Sequence, residues 1–224
     1  MSSTEPHAPL PARVVRVTLA LASILAICEA LGTAFSPYLV LHEPLALLAL
    51  SPDARHVLLV TGKLDALTVL AVTVPRRMLA LAVTYGVGAI YGRAALRWAE
   101  DRSARIAKAA RFVERLLAKV GGPLLLVWPG YTLSLLSGTS RARFAPFMLF
   151  TLGGQLAQIA LTYVFGEAIA STTDTILAFL SDHLLESTLA CVALVTVQQA
   201  FSWIRRRRAR RRALIVEEAQ PLQP

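Results

Sequence analysis

Four stretches of this chain, residues 14–41, 64–91, 144–169 and 189–204, are too long and too apolar to fold away inside a water-soluble core. A bilayer's hydrocarbon is about 30 Å thick and takes roughly 20 helical residues to cross. Inside it, every backbone amide must find its partner within the protein, which leaves helices as the natural spanning element. The composition agrees, with 55% of the 224 residues hydrophobic and only 17% charged. The mean hydropathy is +0.57, above what one soluble core absorbs. These features predict an all-α, polytopic helical membrane protein. A single membrane domain is expected over 13–204, between a leader at 1–12 and a basic tail at 205–224. Pro6, Pro9 and Pro11 keep the leader from forming a helix. The first run has the look of a signal peptide, with Gly32-Thr33-Ala34 as a cleavage site. Its length and the presence of Glu29 instead favour an uncleaved first span.

Two further apolar segments are too short to cross. Residues 45–50 and 57–60 flank the polar stretch Ser51-Pro52-Asp53-Ala54-Arg55-His56, and residues 124–136 are broken by Pro129-Gly130 and closed by Ser137-Gly138. Short arms on either side of a proline-containing turn fit a re-entrant hairpin, which is stable only where protein or water covers the irregular backbone. The alternative for the first is two short helices lying in the interface. Gly88 and Gly92, near the end of the second long run, allow close helix approach.

The net charge of +9 is concentrated in blocks beside apolar segments, the mark of cytoplasmic loops rather than of a nucleic-acid surface. The largest blocks are 93–119 and the arginine run 205–212. Within the first, Ile106, Ala109, Ala110, Val113, Leu116, Leu117 and Val120 recur at helical spacing opposite the charges, which predicts an amphipathic helix on the membrane surface. The loop expected at 171–186 carries Asp174, Asp182 and Glu186 and no lysine or arginine. Assigning basic blocks to the inside gives a multi-pass protein of the cell membrane with both termini cytoplasmic. The first hairpin then enters from outside and the second from inside, an inverted repeat of the kind transporters use.

The pieces Pro44-Leu45-Ala46-Leu47-Leu48-Ala49-Leu50-Ser51-Pro52, Arg76 or Arg77, Tyr85, Gly88-Ala89-Ile90-Tyr91-Gly92-Arg93, Pro129-Gly130, Ser137-Gly138 and Phe144 agree in order and spacing with one known family. On them the stretch 44–168 resembles the DedA family, also called SNARE-associated or VTT-domain membrane proteins. The chain departs from that pattern at Ala89, Leu126 and Thr132, where the family carries arginines, and lacks its acidic residue upstream of Gly88. The resemblance implies two re-entrant hairpins and the movement of lipids or lipid-linked phosphates across the bilayer, in some members coupled to protons. The alternative is a structural or interaction protein of the same fold that does not transport.

An ionisable group at membrane depth costs about 2.5 to 3.5 kcal/mol to insert, so it faces a cavity or a partner. Arg76 and Arg77 either meet a lipid phosphate, which suits a planar guanidinium, or pair with Glu29 or Asp65, or snorkel out of the hydrocarbon. Glu29 is either a proton carrier or a fixed counter-ion. Asp53, Arg55 and His56 at the first hairpin tip either line a path or form a solvated turn. Gln155 and Gln158 fit bonds between helices. No Gly-x-Ser-x-Gly elbow or metal-ligand spacing is present, and His7, His42, His56 and His183 fall in separate contexts. No enzyme, catalytic residue, cofactor or metal is therefore expected. Cys28 and Cys191 both lie in apolar runs and suggest no disulfide framework. The expected partners are membrane lipids and protons, with an oligomer left open.

Overall fold

The computed structural model describes residues 11–102, 122–140 and 142–218, which form ten helices and no strand. Proline sets most of the early breaks, because it lacks an N–H and pushes the preceding residue out of the helical region. Helix α1 (Ala12–Ala34) stops at Phe35, and α2 (Ser36–His42) restarts with Pro37 in its first turn. The run at 14–41 is therefore two helices. Pro44 opens α3 (Pro44–Leu50) in the same way, and Ser51-Pro52-Asp53 separates it from α4 (Ala54–Val60). Helix α5 (Ala66–Arg102) instead carries Pro75 inside it. Helices α6 (Gly122–Val127) and α7 (Tyr131–Thr139) flank the break at Pro129-Gly130. Then follow α8 (Phe144–Ala168), α9 (Ala170–Asp182) and α10 (Leu184–Glu218).

Three expectations change. The basic block does not begin a new helix at residue 93: no breaker follows Gly92, and α5 runs on to Arg102. Residues 103–121, which carry most of the expected surface helix, lie outside the described residues. The acidic stretch expected to be a loop is helical as α9. Thr173, Leu177 and Leu180 recur at steps of four and three, with Thr173 buried and both leucines packed on the core, so its polar residues occupy the remaining faces. The arginine run is no separate tail at its start but a continuation of α10 as far as Glu218. Arginine is a good helix former, and no glycine or proline interrupts this stretch.

Four helices are long and apolar enough to cross a bilayer: Ala12–Ala34, Ala66–Gly92, Phe144–Ala168 and Leu184–Phe201. Their outer faces expose large apolar side chains such as Ile24, Leu161, Leu189, Leu194 and Phe201. A surface of that kind aggregates in water and is at home in lipid. The architecture is that of a helical membrane protein.

Helices α5 and α8 form the centre. The first short pair places α3 on α5 and α4 on α8, while the second places α6 on α8 and α7 on α5. Each pair thus bridges the same two long helices, in exchanged order. Val40, Leu47, Leu48, Val57, Val60, Val69, Val74 and Ile159 make the core around the first pair, and Leu125, Leu133 and Phe147 the core around the second. Around the second pair, contact is backbone to backbone. A methyl group on Gly88 would overlap the Leu135 carbonyl, one on Gly138 the Tyr85 carbonyl, and one on Gly92 the Thr139 side chain. Only glycine permits α5 and α7 to approach this closely. Helix α1 packs on α5, α3 and α10, at the edge of this core.

Candidate functional site

Arg76 and Arg77 sit near the middle of Ala66–Gly92, roughly 15 Å from its start at 1.5 Å per residue. Neighbouring residues on a helix point about 100° apart, and the two guanidinium groups accordingly do different things. Arg76 donates from Nε to the Ala49 carbonyl at 2.9 Å and from Nη2 to the carbonyls of Leu50 at 3.1 Å and Leu25 at 3.5 Å. Ala49 and Leu50 end α3, where carbonyls lack intrahelical partners and the helix dipole is negative. Arg76 is a cap for the C-terminal end of α3.

Arg77 has one hydrogen bond, from Nη1 to the Gln158 side-chain oxygen at 3.3 Å. It lines a cavity of about 580 Å³ walled by α5, α6, α8 and the Trp128-Pro129-Gly130 break. That volume falls in the usual range of small-molecule sites. Trp128, Val127 and Leu161 on its rim are 71%, 78% and 59% exposed, so the cavity opens sideways toward the surface that lipid would cover. Its inner wall holds Gln155, whose Nε2 donates to the Pro129 carbonyl at 2.7 Å. A carbonyl only accepts, so this contact fixes the amide orientation and leaves the buried Oε1 without a partner.

Glu29 reaches the same region from α1. It lies within electrostatic range of Asp53, Arg76, Arg55 and Arg77, yet the ion pair found among the described residues is Arg55 with Asp53, at 3.0 Å. Glu29 lines a second cavity, of about 400 Å³, between α1 and α5. Tyr131 lines both cavities.

At the first break, Ser51 and His56 are buried, and the His56 Nδ1–H donates to the Ser51 carbonyl at 2.7 Å. Arg55 also donates to the Thr33 hydroxyl at 3.1 Å. The tip is thus docked against α1, with Gly32 in contact with Ser51. Asp65 stands apart from the arginines. It accepts from the Thr68 N–H at 2.9 Å and the Thr68 hydroxyl at 2.7 Å, capping the N-terminus of α5. These bonds hold its carboxyl below the usual range.

Of the residues singled out from the sequence, Arg76, Arg77, Glu29, Asp53 and Arg55 converge near the middle of the bundle, whereas Asp65 does not. Pro52, Pro129 and Gly130 form the two breaks, and Gly88, Gly92 and Gly138 the close helix contact. Tyr131 and the buried Gln155 join the site from α7 and α8. An aromatic residue directly after a Pro-Gly break was the available signal for Tyr131. Comparison of the chain with family models, curated proteins and solved structures returns no match in any of the three.

Proposed function

We propose that this protein moves an anionic lipid, or a lipid-linked phosphate, between leaflets, with Arg77 as the group that meets the phosphate. One observation carries the reading: a guanidinium near the middle of a spanning helix, with a single 3.3 Å hydrogen bond, faces a laterally open cavity of about 580 Å³. A charge in that position is costly unless something compensates it, and a phosphate entering from the bilayer would do so. In this reading α3–α4 and α6–α7 are opposed re-entrant hairpins. Their exchanged packing on α5 and α8 supports an inverted repeat, as does the resemblance to DedA proteins. Glu29, in the neighbouring cavity, serves as the proton-linked partner. Both termini lie in the cytoplasm of a cell whose membrane holds the protein.

The test uses purified protein in liposomes carrying a trace of fluorescent phosphatidylglycerol. The rate at which the label becomes accessible to an impermeant quencher should exceed that of protein-free vesicles and return to it in Arg77→Gln. Equal rates across several anionic lipids, with and without a pH gradient, would refute transport and leave a structural membrane protein.

A further inference from the structure

The two cavities lie on neighbouring faces of α5, one touched by Arg77 and Leu81, the other by Ala80, Thr84 and Val87. At roughly 100° per residue these faces are about a quarter turn apart. The cavities hold opposite charges, and Tyr131 is common to both walls. It is the first residue of α7, directly after the Pro129-Gly130 break. Because α7 is locked to α5 through Gly88 and Gly138, its position is fixed. The phenol lies within electrostatic range of Glu29 and of Arg77. These two charges sense each other but form no ion pair.

Opposite charges near one another in a poorly solvated space attract strongly, and both side chains are flexible. Glu29 also feels Arg76 and Arg55 and pairs with neither, and the residue shared by the Glu29 and Arg77 cavities is Tyr131. We infer that Tyr131 is a positioning residue whose ring holds the Glu29 carboxylate away from the Arg77 guanidinium, keeping Arg77 open to an anionic headgroup. The inference rests on the reading of Arg77 as the anion site. The ring suits the task, being rigid and bulky with few rotatable bonds. An alanine there joins the two cavities and lets Glu29 occupy Arg77.

The experiment measures binding of dioctanoyl phosphatidic acid to the full chain in detergent, with dioctanoylglycerol as the phosphate-free control. If Glu29 holds Arg77 about nine-tenths of the time in Tyr131→Ala, the apparent Kd rises about tenfold. Tyr131→Phe keeps the wild-type Kd, since the ring remains. The double variant Tyr131→Ala/Glu29→Gln recovers most of the lost affinity, a rescue that a merely misfolded Tyr131→Ala could not show. Wild-type binding that needs Arg77, with Tyr131→Ala unchanged or unrescued by Glu29→Gln, overturns the inference alone. Absence of wild-type binding, or binding unaffected by Arg77→Gln, overturns the anion site and this inference with it.

Discussion

Two adjacent arginines make unequal numbers of bonds, and that inequality is measurable as stability. Replacing Arg76 by glutamine removes bonds of 2.9 and 3.1 Å to the last carbonyls of α3, together with a longer one to Leu25. Hydrogen bonds from a charged donor contribute about 1.5–3 kcal/mol each. The two shorter ones thus amount to at least about 3 kcal/mol. Arg77 has a single contact, stretched to 3.3 Å, and its replacement also removes a poorly compensated charge, so the net loss is at most about 1 kcal/mol. For a chain of this size 1 kcal/mol corresponds to roughly 2–4 °C in Tm. The expected outcome is a drop of about 6–12 °C for Arg76→Gln and under about 4 °C for Arg77→Gln. The assay is thermal unfolding in detergent micelles, followed by circular dichroism or intrinsic fluorescence. Similar Tm values for the two variants would refute the division of labour between them, and so would a larger loss for Arg77→Gln.

Gly138→Ala should lower Tm sharply or prevent folding, because the new methyl meets the Tyr85 carbonyl. Gly62→Ala, with nothing within 4 Å of its added carbon, should be close to neutral, and equal effects in the same thermal assay would contradict the close α5–α7 contact. The folded-state pKa of Asp65 is depressed by its bonds to Thr68. Its contribution is therefore complete above the ordinary carboxylate pKa and lost as pH falls through the lower folded value. Asp65→Asn should flatten the acid limb of the stability–pH curve, and an unchanged limb would count against the cap. For topology, cysteines placed in the α9 segment should react with an impermeant thiol reagent on intact cells while cysteines at 205–212 stay protected, and the opposite pattern would reject the orientation.

The spans were legible because four long apolar runs admit few alternatives, and the two later breaks because Pro52 and Pro129 act on the backbone locally. What escaped was of two kinds. Helix continuation through charge was missed at α9, because polarity was read as loop, whereas helix formation depends on the absence of breakers and the placement of apolar residues at three- and four-residue steps. The roles of Arg76 and Arg77 could not be separated by reading alone. A difference of one residue turns a side chain about 100°, and only the docking of α3 on α5 determines which arginine meets the orphan carbonyls. The same applies to Asp65, whose partner was sought among distant arginines while Thr68 lay three residues away.

Pro75 immediately precedes the two arginines and sits inside α5, so the amide that would tie this turn to Ala71 is missing beside the arginine that caps α3. Such a point is the usual place for a helix to bend. The part of α5 beyond it, as far as Arg102, is about 40 Å long at 1.5 Å per residue, so a 10° flexion would swing its far end by about 7 Å. Arg76, next to the pivot and tied to the end of α3, would stay nearly still, whereas the Gly88 segment would carry α7 with it. A bend at Pro75 would therefore be felt first where α5 meets α7.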